Sequence, residues 1–278
     1  MKLARFGEPG CERMAIVDQG GRLRDLSSEL PDSAERPVDA DSIRTLRSIR
    51  SESLPLVDSN VRIGPCIGRV GKFICVGLNY LDHIREAGAT TPTEPVLFMK
   101  ATSCISGPTD PVVIPPGASM VDWEVELGVV IGSAAKNVPE RDALDCVAGY
   151  CVVNDISERC WQLQGTGQWV KGKSADTFGP IGPWLVTADE VPDPQTLALW
   201  LSVNDKIRQR SSTSQMLFPV RTLISYISKF MTLLPGDIIS TGTPPGVGMG
   251  MKPPKFLEHG DVVKLGIDGL GEQCQSVV

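Results

Sequence analysis

Asp122-Trp-Glu124-Val-Glu126-Leu-Gly128-Val-Val-Ile131 carries the alternation that sets the fold class of this chain. The stretch is dense in β-branched and apolar residues, lacks Pro, and meets Gly only at 128 and just past its end at 132, so it reads as a strand. Residues two apart in a strand share a face. Glu124 and Glu126 therefore project side by side, with Val125, Leu127, Val129 and Ile131 opposite. Taken alone, the simplest reading is a strand with one wet face, where paired acids are merely solvated. Burial would change that, because like charges repel and an unpaired carboxylate is costly away from water. A hard divalent cation removes both problems: Mg²⁺ binds one or two carboxylates and keeps positions for water or substrate.

Working outward, short strand candidates dominate. Phe73–Val76, Val96–Met99, Gly149–Asn154, Leu197–Val203, Asp237–Ser240 and Val262–Ile267 join Trp123–Ile131. Between them lie turns rich in Gly and Pro, at 106–111 and 179–183. Helices are expected near Glu140–Val147 and Val220–Thr232. Residues 1–65 read as a small β-rich domain, with strands at Met1–Phe6 and Arg13–Val17, a hairpin turn at 18–21 and a return strand at Arg22–Leu26. A helix follows over Asp41–Arg50, with Asp41 as its N-cap. Residues 66–278 form the main domain. Many short strands and few helices predict a mainly β, α+β fold of sandwich, roll or barrel type.

Composition narrows the function. A net charge of -6 argues against a nucleic-acid groove, and Lys and Arg form no run. No stretch approaches the ~20 apolar residues that span a bilayer, and the N-terminus lacks the apolar centre of a signal peptide. The eight Cys are scattered without a CxxC pair, which predicts reduced thiols and a cytoplasmic setting. Only His83 and His259 are present, so any metal is held by oxygens and not by a histidine cluster.

Three further segments can carry chemistry. Cys151-Val-Val-Asn-Asp155 is an apolar strand ending in a carboxylate, which either caps the next turn or joins Glu124 and Glu126 as a third oxygen ligand. His83 and Glu86 stand three apart and share a face if the segment is helical, forming a minimal acid–base pair. Gly167–Ser174 matches a phosphate-loop pattern, yet Gly and Pro follow it where a helix is required, so the match reads as accidental. Lys173 within it retains interest as an ammonium able to steady a developing enolate. The loop from Ser240 to Gly248 offers glycines for close approach and hydroxyls for a carboxylate, or is simply a tight turn.

Together the segments GLNYLDHIRE, EPVLFMK, DWEVELGVVIG, GYCVVNDISER, WVKGKSADTFGPIGPWLVTADEV, PGDIISTGTPPGVGMG and KPPKFLEHGDVVKLGIDGLG closely resemble the fumarylacetoacetate hydrolase family. The N-terminal segments look like its bacterial members that open 2,4-diketo-3-deoxy sugar acids. The resemblance implies a mixed β-sandwich roll, a homodimer and a Mg²⁺ or Mn²⁺ site held by Glu124, Glu126 and Asp155. It also implies that Lys173 steadies an enolate, Gln162 places water, and His83 with Glu86 activates that water from a mobile lid. Arg159 and Thr243 would contact a diketo acid substrate, with Lys100 lining the pocket. Where family members often carry an acid after the matching arginine, this chain has Cys160, which implies altered substrate contacts around an intact metal site. The implied reaction is hydrolysis of a C–C bond in an acylpyruvate-type acid, with decarboxylation or isomerisation as the alternatives open to the same site.

Overall fold

The alternation at 125–131 becomes the strand Val125–Ile131, and all seven of its residues are buried. A computed structural model describes residues 1–30, 38–88 and 90–278. Among the described residues this strand lies inside a ten-stranded mixed sheet and has no wet face, so the half-exposed reading is overturned. One neighbour is Val147–Asn154 and the other is Ile238–Ser240, both antiparallel. Ile238–Ser240 then pairs in parallel with Phe73–Gly77, and Val96–Lys100 closes that edge. Beyond Val147–Asn154 come Gly179–Thr187, Lys2–Phe6, Arg13–Val17 and Leu23–Asp25. The N-terminal hairpin thus extends the main sheet through Lys2–Phe6, with Leu3 opposite Leu185. Its turn forms as expected, because Asp18 Oδ1 accepts from the N–H groups of Gly20 and Arg22.

A second, antiparallel sheet of Lys206–Ser212, Ala198–Val203, Val262–Ile267 and Gly271–Ser276 packs against the first. Leu127, Val129, Val152, Leu201, Leu265 and Ile267 belong to the shared core. Glutamines stitch the layers where backbone groups would otherwise lack partners. Gln273 Nε2 donates to Val152 O at 2.8 Å and Gly182 O at 3.1 Å, and Gln209 Oε1 accepts from Val125 N at 2.9 Å. This is the mixed β-sandwich roll expected.

Several local expectations change. Gly179–Thr187 is a strand and not a turn, although it contains Pro180 and Pro183. Its pairing with Val147–Asn154 breaks register between Gly182 and Val186, which accommodates the missing Pro N–H. The first helix spans Ala40–Leu46 and is capped by Asp39, whose carboxylate accepts from Ser42 N at 2.7 Å; Asp41 lies within the first turn. Glu140–Cys146 winds as a 3₁₀ helix, with Ala143 and Cys146, three apart, both buried. The later helix stops at Ile227, having buried Val220, Leu223, Ile224 and Ile227.

Candidate active site

Strand register brings the acids together. Val125 faces Asn154 across the antiparallel pair, so Glu124 and Asp155 leave the sheet side by side, tied by Asp155 N donating to Glu124 O at 2.9 Å. Glu126 projects from the strand itself. Ligand oxygens of Glu124, Glu126 and Asp155 lie within 4.8 Å of one another, and all three residues are buried.

Three buried cations answer this charge. Lys173 Nζ donates to Glu124 Oε2 at 2.8 Å and Asp155 Oδ2 at 2.6 Å. Lys100 Nζ reaches Asp155 Oδ1 and Ile156 O. Arg159 donates to Glu124 Oε1 at 2.6 Å, Asp122 Oδ2 at 2.9 Å and Gln162 Oε1 at 3.0 Å. Burial alone would push the Glu124 acid up, but Lys173 and Arg159 outweigh it and hold Glu124 below the usual carboxylate range. Glu126 goes the other way. Burial, then repulsion from Asp155 and Glu124, pushes its acid well above the ordinary value. Its Oε2 accepts from Ser240 Oγ at 2.6 Å and Gly242 N at 2.8 Å, while Oε1 has no hydrogen-bond partner among the described residues. An all-carboxylate donor set, with Glu126 Oε1 left without a protein donor among the described residues, fits a hard divalent cation, and the triad can coordinate one.

The cluster opens into a cavity of about 590 Å³. His83 and Glu86 line it from the helix Leu81–Ala87, with His83 Nδ1 3.1 Å from Glu86 Oε2. Glu86 also accepts from Gly246 N at 3.0 Å, docking this helix on the loop that follows Thr243. A side chain is impossible at Gly246: its φ is +104° and a Cβ would lie 1.9 Å from Arg208 O.

The remaining expected residues separate by position. Arg159, Gln162, Lys173 and Thr243 line the cavity; Lys100 and Asp155 stand behind it. Lys100 is therefore a partner of Asp155 and not a lining residue. Thr243 Oγ1 donates to Val125 O and accepts from Gln209, so its proton is already committed. In the Gly167–Ser174 segment, Val170–Lys173 is one short helical turn. Gly172 is needed there because a Cβ would lie 2.4 Å from Glu158 O, a packing requirement that seats Lys173.

Two residues of the site carried no expectation. Asp122 is fully buried and gathers four donors: Gly248 N and Trp123 N on Oδ1, Met249 N and Arg159 Nε on Oδ2. Its i, i+2, i+4 alternation with Glu124 and Glu126 was the available signal. Asn79 donates to Thr241 O and Phe218 O and fixes the loop that holds Glu126; a single Asn before a helix gives no such hint.

Comparison with known proteins bears on the chain as a whole. Residues 72–278 match the family described as fumarylacetoacetate (FAA) hydrolase C-terminal. A Burkholderia cenocepacia protein assigned only as a hydrolase is 59% identical over 277 residues, covering 99% of this chain and 98% of its own length. Maleylpyruvate hydrolase from Sphingobium sp. SYK-6 superposes with TM-score 0.83 at 34% identity, over 100% of this chain and 99% of that one. A 2-hydroxyhepta-2,4-diene-1,7-dioate isomerase from Mycobacterium marinum gives TM-score 0.78 at 34% identity, over 100% and 98%. The names of these relatives are those of hydrolases and an isomerase, and none refers to a sugar acid. No described helix is long and apolar enough to cross a membrane.

Proposed function

Because the chain belongs to the fumarylacetoacetate hydrolase family, we propose that it is a Mg²⁺- or Mn²⁺-dependent hydrolase of 2,4-diketo acids, releasing pyruvate and a carboxylic acid. The observation that carries this reading is the buried Glu124–Glu126–Asp155 triad, of which Glu124 and Glu126 line the same cavity as the His83–Glu86 pair. Glu124, Glu126 and Asp155 would hold the metal, which would polarise the 2-keto acid end of the substrate.

The protein's own groups supply the rest. His83, oriented by Glu86, takes a proton from water, with Gln162 helping to place that water. The water oxygen bonds to the C4 carbonyl carbon, and the C3–C4 bond breaks with its electron pair moving to C3. The acyl half leaves as a carboxylic acid, and the pyruvate enolate takes up a proton at C3. Lys173 has three N–H donors and commits two to Glu124 and Asp155, leaving one for the enolate oxygen. Arg159 commits three of its five to Asp122, Gln162 and Glu124, leaving two for the substrate carboxylate.

The second reading, isomerisation, is favoured by the likeness to the M. marinum isomerase. The test is incubation of the purified protein with acetylpyruvate in ¹⁸O-labelled water, with and without chelator. Hydrolysis delivers one solvent oxygen to the acetate and equimolar pyruvate, and chelator abolishes both. Absence of pyruvate from every acylpyruvate, beside conversion of an unsaturated 2-hydroxy acid without label, would transfer the assignment to isomerase.

A further inference from the structure

One helical turn and one strand close around the Lys173 ammonium. Val170–Lys173 is the turn, and Trp169 before it already has helical backbone, so Trp169 and Lys173 stand four apart on one side. Val96–Lys100 is the strand, and Phe98 and Lys100, two apart, share a face of it. Lys100 pairs with Asp155, while Phe98 meets both Trp169 and Lys173. The Phe98 ring contacts the Trp169 indole edge to face, with centroids 5.2 Å apart. The Lys173 ammonium sits over the same ring, 5.1 Å from its centroid. Trp169 lies in turn against Gly77, where a Cβ would stand 2.5 Å from Trp169 Cζ3. The strand carrying Gly77 thus omits a side chain where the indole that braces Phe98 must lie.

Lys173 is 1% exposed, and Glu124 and Asp155 take two of its three N–H donors. No third oxygen accepts from Nζ among the described residues. A desolvated ammonium short of partners is costly, and an aromatic face offers it negative potential without water. That attraction acts on the charge as a whole and claims no particular N–H. An oxygen acceptor in the same place would claim the third donor, and a substrate would have to displace it. We propose that Phe98 is a positioning residue for Lys173: its ring face holds the ammonium on Glu124 and Asp155 and leaves the third N–H free. Trp169 braces that ring. The proposal rests on the hydrolase reading above only for what the third N–H then meets, the enolate oxygen.

The test replaces Phe98 with mono-, di- and trifluorinated phenylalanine, which nearly keep the ring's size while draining negative charge from its face. In chelator the melting temperature should fall stepwise along the series, by about 2–8 °C in all, the span of a desolvated cation–π pair. In Lys173→Met and Lys173→Gln backgrounds the same series should not fall, since no cation remains over the ring. On a cleaved acylpyruvate with Mg²⁺, kcat should drop stepwise by about 3- to 30-fold while KM stays within about two-fold. A ring that only fills space would give neither trend. A melting series that does not fall, or falls as steeply without Lys173, overturns the proposal. So does an unchanged kcat beside a stepwise melting series. Absence of pyruvate from every acylpyruvate sinks the hydrolase reading alone, because the melting series reads the ring–ammonium pair without turnover.

Discussion

Lys173→Met removes the one ammonium that bridges Glu124 and Asp155 while keeping a side chain of similar length. Lys173 is 1% exposed and its partners are buried beside Glu126, so the carboxylates it leaves cannot recover solvation in place. Breaking a buried ion pair by removing one partner costs about 3–5 kcal/mol. In a chain of this size each kcal/mol moves Tm by about 2–4 °C, so in chelator the variant should melt roughly 6–20 °C below the native protein. A divalent cation supplies the missing positive charge. Added Mg²⁺ should therefore raise the Tm of the variant by more than it raises that of the native protein, whose triad is already partly neutralised by Lys173. For scale, a ligand at 100 times its Kd stabilises by about 2.7 kcal/mol. Differential scanning calorimetry in chelator and in a Mg²⁺ series measures both quantities. A variant that melts within about 2 °C of the native protein in chelator would refute the charge accounting, as would a Mg²⁺ shift no larger than the native one.

Other predictions bear on His83, Asp122 and Glu86. His83→Ala should lower kcat by about 10²–10⁴-fold on a cleaved acylpyruvate while leaving the Mg²⁺-induced Tm shift intact; loss of that shift would place His83 with the metal ligands. Asp122→Asn turns one acceptor into a donor facing Met249 N and Arg159 Nε, so KM should rise more than kcat falls as Arg159 loses its orientation, and an unchanged KM would remove Asp122 from substrate positioning. Glu86 sits below its ordinary value of 4.5: burial opposes ionisation, and the bonds from His83 and Gly246 N outweigh it. A depressed carboxylate contributes stability that is complete above 4.5 and lost as pH falls through the lowered folded value. Exchange protection of the Gly246 amide, corrected for intrinsic rates, should then hold at pH 5 and weaken only below 4.5; loss already at pH 5 to 6 would contradict it.

The parts of the site readable in advance were those set by local periodicity. Alternation put Glu124 and Glu126 on one side of a strand, an apolar run ended at Asp155, and i, i+3 spacing joined His83 to Glu86. The strand Gly179–Thr187 was hidden because its two prolines mimic a turn, and only pairing on both sides with distant strands holds it extended. Asp122 was hidden for a related reason: its donors at 248 and 249 lie over a hundred residues away.

Dihedral period is a property of neighbouring residues, so the order of side chains along a strand or helix face is written in the chain. Whether a face is wet or buried is not, since it depends on what a remote segment lays over it. The paired glutamates show the difference. Their shared side follows from their spacing alone, and so does the shortage of histidine that points any metal toward oxygen ligands. That they are buried, that Lys173 from 49 residues downstream spans Glu124 and Asp155, and that Trp169 closes on Gly77 are contacts made only when the sheet and its flanking helices assemble. Burial then turns solvated charges into paired ones.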